Sequence, residues 1–167
     1  MQRVIVSLAV VCILLLTRTA PAHEHRYDQD DLTALGDVNF PTSCTNVDAE
    51  FTRAVALLHS FGYEEARLAF EAVAAKDPSC AMAYWGIAMT WYHPIWAPPN
   101  SRELAAGAAA TRRAVELSAK TEREHGYIAA IDAFYRDSDR LNHVVRAQAY
   151  SNAIEQLSKE PPDDHEA

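Results

Sequence analysis

Phe51, Ala54, Leu57 and His59 recur 34 residues later as Trp85, Ala88, Trp91 and His93. Between the two sets, Tyr63, Ala66, Phe70 and Pro78 continue an ordered series of large, small and chain-breaking residues. A fixed period of that length marks a helix-turn-helix unit that buries its apolar face only by stacking on a neighbouring unit. Arrays of this kind present a surface and seldom carry a reaction. The period therefore constrains the class of function as well as the fold.

The rest of the chain agrees with helix throughout. Only five glycines occur in 167 residues, and Ala, Leu, Glu and Arg are abundant. No run of alternating β-branched residues competes for a strand.

The N-terminus reads as a secretory signal peptide, residues 1–22. Arg3 gives the positive start, Val4 to Leu16 is apolar apart from Ser7, and Ala20-Pro21-Ala22 offers a cleavage site before His23. The apolar run is shorter than the roughly 20 residues that a bilayer span needs. A periplasmic or secreted protein with no stable membrane span after cleavage is the expectation. Removing the signal leaves 13 basic against 23 acidic side chains, a balance that repels nucleic acid and anionic lipid. The remaining length suits one domain.

Two cysteines survive cleavage, Cys44 and Cys80. In an oxidising compartment they read as a structural disulfide tying the Phe40-Pro41-Thr42-Ser43 loop to the start of the second unit. The alternative is two free thiols, since equivalent positions in stacked units can lie too far apart to bridge.

Residues 23–45 form a polar leader and lead-in loop, and helical repeats occupy 46–159. The first helix is expected over about 46–61, opened by a capping-box spacing of Thr45 and Asp48 and broken by Gly62. Tyr63 to Lys76 makes the return helix, ended by Asp77-Pro78. Ser79 is positioned to cap a third helix over about 80–92. His93-Pro94-Ile95-Trp96-Ala97-Pro98-Pro99 is too long and proline-rich for a tight turn and reads as a fixed loop carrying an aromatic. Asn100 with Glu103, and Thr121 with Glu124, repeat the capping-box spacing for a fourth and a fifth helix. Asp137-Ser138-Asp139 turns the chain into a sixth, ending near Lys159. Residues 160–167 read as the start of a further repeat or a C-terminal tail.

At these residues the chain resembles the tetratricopeptide repeat (TPR) family. Ala54, Leu57, Tyr63, Ala66, Phe70, Val73 and Pro78 fall at that family's spacing in the first unit. Tyr84, Ile87, Ala88 and Trp91 follow in the second, and Ala114 fits once about seven loop residues are inserted. Glu50 and Arg53 depart from the pattern, and the third hairpin matches through Tyr150 and Ala153. Phe-Pro-Thr-Ser-Cys, Leu-Leu-His-Ser-Phe, Cys-Ala-Met-Ala-Tyr-Trp-Gly and His-Pro-Ile-Trp also resemble a group of exported bacterial TPR proteins of undefined activity. The resemblance implies an all-α stack of about three antiparallel hairpins, six helices in all, wound as a right-handed α-solenoid.

In that register the inner face is lined by Phe51, Val55, Leu58 and His59, then Trp85, Met89, Tyr92 and His93. Steps of three and four place each set on one helix face. Such a stripe suits an apolar peptide or helix. The other reading is that the leader, the Pro94–Pro99 loop or later repeats cover it. The Lys, Arg and Asn set of clamps that hold acidic C-termini is missing from the stripe.

His59 and His93 hold equivalent places but lack a third ligand at helical spacing, so a buried or groove-edge role is expected rather than zinc. A mature terminus His23-Glu24-His25 would offer a free amine, two amides and an imidazole suited to Cu(II) or Ni(II). No phosphate loop, Gly-x-Ser-x-Gly or His-Glu-x-x-His is present. The expectation is therefore a scaffold that binds a protein or peptide partner, without catalysis or cofactor of its own. The alternatives are a metal-handling protein using His23 and His25, or the N-terminal scaffold of a longer protein.

Overall fold

A computed structural model describes residues 35–36, 38–93 and 97–159. The segment 1–22 read as a signal peptide, His23 and His25, Pro94-Ile95-Trp96 and the segment 160–167 lie outside the described residues. Six helices follow one another: α1 (Asp48–His59), α2 (Tyr63–Lys76), α3 (Ala81–Tyr92), α4 (Ser101–Leu117), α5 (Glu122–Tyr135) and α6 (His143–Leu157). Each packs on its neighbour in sequence, and α3 also packs on α1 and α5. No strand occurs among the described residues.

The sequence explains why α3 is central. Ala81, Met82, Ala83, Trp85, Gly86, Ala88, Thr90 and Tyr92 are all buried, so this helix has no wet stripe. A helix apolar on all sides must be enclosed by others. Its neighbours meet it closely where side chains are smallest. A Cβ added at Gly86 would lie 2.4 Å from the Phe70 ring of α2, so only glycine permits this approach of α2 to α3. Helix α4 offers a face of Gly107, Ala110, Thr111 and Ala114. The C-terminal half of α1 is likewise enclosed, with Phe51 and all of 54–58 buried, whereas α2 buries one stripe of Ala66, Phe70, Val73 and Ala74. Arg67 on the outer side of α2 pairs with Glu64 and Glu71.

Helix ends follow the local chemistry with three corrections to the sequence reading. Helix α1 starts at Asp48 after Val47, and no side chain caps it. Asn46 takes a φ of 57°, and the Thr45 amide is drawn instead to Asp77 Oδ2 at 2.8 Å. Cys80, not Ser79, caps α3: its Sγ accepts from the Ala83 amide. Ser79 is engaged by Asp77, to which it donates from Oγ at 2.6 Å and from its amide at 3.0 Å. Gly62 lies in the break between α1 and α2, where the left-handed residue is Phe61 (φ 60°). The Gly62 amide reaches Leu57 O and the Phe61 amide reaches Leu58 O, the paired bonds of a Schellman turn. The Asn100/Glu103 capping box is complete. Thr121 caps α5 by accepting from the Glu124 amide, but the Glu124 carboxylate takes the Ser43 amide and hydroxyl and the Thr121 hydroxyl.

Cys44 and Cys80 are bonded, with their Cα atoms 5.0 Å apart. No helix among the described residues is long and apolar enough to cross a membrane.

Candidate functional site

Between α1, α3, α5 and α6 lies a cleft of about 320 Å³, lined by Phe40, Leu58, His59, Phe61, Tyr63, Trp85, Met89, Tyr127 and Tyr150. Each lining residue has a local reason to be there. Leu58 and His59 close α1, and the left-handed backbone at Phe61 swings its half-exposed ring outward against Tyr63. Trp85 and Met89 stand one turn apart on α3. Tyr150 of α6 turns its hydroxyl toward Met89 Sδ at 3.8 Å. The walls are aromatic and thioether, with imidazole and phenol hydroxyls as the polar groups.

Four of the eight residues expected on an open inner stripe therefore line this cleft: Leu58, His59, Trp85 and Met89. Phe51 and Val55 do not. They are closed in the core at 1% and 0% exposure, because Phe40 lies over Phe51 with ring centroids 5.7 Å apart. Tyr92 is also buried, between Phe134 at 4.3 Å and Tyr150 at 4.9 Å. His93 ends α3 just behind the cleft wall, its ring 5.7 Å from Tyr63, with Nδ1 at 3.1 Å from Ala97 O and Nε2 at 3.6 Å from Glu103. His59 is exposed. No group of three or more His, Cys, Asp or Glu side chains capable of holding a metal occurs among the described residues.

The cover over Phe51 comes from the lead-in loop of the 23–45 segment, in keeping with the alternative reading in which the leader covers the stripe. Residues 38–45 form a strap without regular structure that carries Phe40 into the core. The Phe40 ring sits 5.1 Å from both Trp85 and Tyr127. Glu124, only 2% exposed, holds the strap by accepting from the Ser43 amide and hydroxyl, each at 2.6 Å. Arg123 places its guanidinium 4.3 Å from the Phe40 ring centre and donates to Pro41 O. Lys120 donates to Ser43 O. A cation over an aromatic face is attracted by the ring quadrupole. The signal available beforehand was the lone aromatic in Asn39-Phe40-Pro41. The partners on α5 lie about 80 residues away and leave no local pattern.

Helix α6 carries a buried cation on its inner side. Arg146 is 3% exposed, stacks 4.6 Å from the Phe134 ring centre and donates to Phe134 O at 3.3 Å. It thereby satisfies a carbonyl at the C-terminal end of α5, where the helix dipole favours positive charge. Burial lowers the pKa of Arg146, and burial with the nearby guanidinium lowers that of His143.

Set against known proteins, the chain matches no family model, no curated protein and no solved structure.

Proposed function

We propose that the chain is an exported TPR-like scaffold that binds an apolar protein or peptide segment in the cleft bordered by Leu58, His59, Phe61, Trp85, Met89 and Tyr150. The observation that carries this reading is the cleft itself: a concavity of about 320 Å³ walled by aromatic, leucine and methionine side chains. Anchors of that kind, fixed on helices, suit capture of an apolar side chain with polar groups at the rim. The acidic formal charge of −8 makes nucleic acid a poor partner.

Two features support the finer architecture of three antiparallel hairpins stacked as a right-handed α-solenoid. Helices α1, α3 and α5 pack in succession, as first helices of stacked hairpins would. Residues one period apart share burial: Phe51 with Trp85, and Ala54 with Ala88. The disulfide supports an oxidising compartment outside the cytosol.

The test begins by selecting peptides from a random library on the full chain. The best binder is then measured by calorimetry against Met89→Ala and His59→Ala, neither of which is a fully buried core residue. At least one variant should weaken binding about tenfold or more, equivalent to ~1.4 kcal/mol. Equal affinity in both variants overturns the assignment of the cleft.

A further inference from the structure

The strap that closes the cleft is held by a covalent bond whose two sulfurs are unequally placed. Cys44 is half-buried in the strap. Cys80 is 2% exposed and forms the N-cap of α3, where its Sγ accepts from the Ala83 amide at 3.3 Å. An external thiolate can thus reach Cys44 far more readily than Cys80. The sulfur released on Cys80 would be a thiolate at a helix N-terminus, the position that best stabilises one. Attack on the accessible sulfur with departure of the better leaving group is the fast direction of thiol–disulfide exchange.

The packing around the strap is thin on both sides. One side faces the cleft. The other borders hollows of about 200 Å³, lined by Val38, Asn39, Phe40, Pro41 and Phe51 among others, and about 450 Å³, lined by Leu35, Val38, Thr52 and Arg53 among others. Its remaining attachments are polar contacts to Lys120, Arg123, Glu124 and Asp77 and the Phe40 ring. Lifting Phe40 would uncover Phe51, Trp85 and Tyr127 and lengthen the cleft along the stripe.

We propose that Cys44–Cys80 is a reducible latch, and that its reduction lets the strap lift and opens the floor of the aromatic cleft. The natural reductant is a dithiol of the thiol–disulfide oxidoreductase class. One of its thiolates attacks Cys44 Sγ, the S–S bond breaks and its electron pair leaves on Cys80 Sγ, which takes a proton from solvent. The second thiol of the reductant attacks the mixed disulfide and frees Cys44. Two electrons and two protons pass to Cys44 and Cys80, and the reductant ends as a disulfide. As regulation of the cleft, this rests on the binding reading above, whereas the latch itself is tested without any partner.

The full chain is treated with glutathione, quenched in acid and mapped by mass spectrometry. In parallel, amide hydrogen exchange is followed in the oxidised form, the dithiothreitol-reduced form and Cys44→Ser. The mixed disulfide is expected on Cys44. The strap amides of Ser43 and Thr45 should exchange on the order of 100-fold faster after reduction, since the link constrains strap opening entropically, while α3 and α5 keep their protection. An adduct on Cys80, unchanged strap exchange, or protection lost throughout α3 and α5 would each overturn the latch. Library-peptide affinity on the oxidised protein is read separately, so failure of the cleft as a binding site is distinguishable from failure of the latch.

Discussion

The hydroxyl of Tyr135 donates a 2.9 Å hydrogen bond to the backbone carbonyl of Ala88, joining α5 to the middle of α3. The same ring fills the space over Gly107 of α4, where an added Cβ would lie 2.1 Å from it. Three helices thus meet at one phenol. Gly107→Ala forces the ring off its carbonyl and should destabilise by about 1–3 kcal/mol, the range for overpacking. Tyr135→Phe removes only the hydrogen bond and should cost about 1 kcal/mol. Urea denaturation of the two variants checks the order. A Gly107→Ala protein as stable as the parent would show that the contact is slack.

The same tyrosine makes the fold sensitive to alkali. Burial pushes Tyr135 and Tyr150 well above the ordinary phenol range, and Tyr63 and Tyr92 are raised for the same reason. Groups with a raised folded pKa contribute full stability below the unfolded value of about 10 and lose it as pH rises beyond. The melting temperature should therefore fall steeply above about pH 10. The Tyr135→Phe slope should be shallower by one group, about 1.4 kcal/mol per pH unit. Parallel slopes for the two proteins would remove Tyr135 from the account.

Asp77 governs the acid side. Hydrogen bonds from the Ser79 hydroxyl and the Thr45 and Ser79 amides, with Lys120 nearby, hold its carboxyl below the usual range. A depressed carboxylate stabilises the fold above its unfolded pKa of about 3.9, and the contribution disappears as pH falls through the folded value. Asp77→Asn should cost about 1–2 kcal/mol at pH 7 and converge with the parent as the pH falls through the depressed folded value. Denaturation curves at pH 7 and through the acid range decide it.

Phe61 sits at a φ of 60°, which costs a non-glycine residue roughly 1–2 kcal/mol. Phe61→Gly should stabilise the α1–α2 turn by up to about 1 kcal/mol while weakening any peptide held against the exposed ring. Stability rising as affinity falls is the expected signature. A loss of stability would mean that the ring's contact with Tyr63 outweighs the backbone strain.

Arg146 offers a contrast between charge and packing. Arg146→Met keeps much of the cover over Phe134 and removes a desolvated charge, so it should lie within about 1 kcal/mol of the parent. Arg146→Ala should lose about 2–3 kcal/mol through the uncovered ring and the freed carbonyl. Thermal melts of both variants separate the two contributions.

Much of this structure was legible in the sequence where the cause is local. Helix α2 occupies the span read from Tyr63 to Lys76, because its apolar spacing and its Asp77-Pro78 stop lie within the segment itself. The Asn100/Glu103 box needed only four residues to be seen. The start of α1 was misread because the Thr45 amide is taken by Asp77, 32 residues away. The candidate site was half legible for the same reason. Periodicity places Leu58, His59, Trp85 and Met89 on one side, but nothing in it foretells that Phe40, which belongs to no helix, would lie over Phe51. Side chains that answer to a helix period can be read from it; a strap held by Glu124 and Arg123 cannot.

Helix α3, apolar around its whole circumference, sets the smallest piece of this chain that can live alone. Cutting before α5 bares Trp85 and the Ala88 carbonyl, and cutting away α1 bares the opposite flank. Either fragment would clump with its own kind rather than fold. The autonomous unit therefore runs from Phe40 into α6, since removing α6 would bare Tyr92 and Phe134.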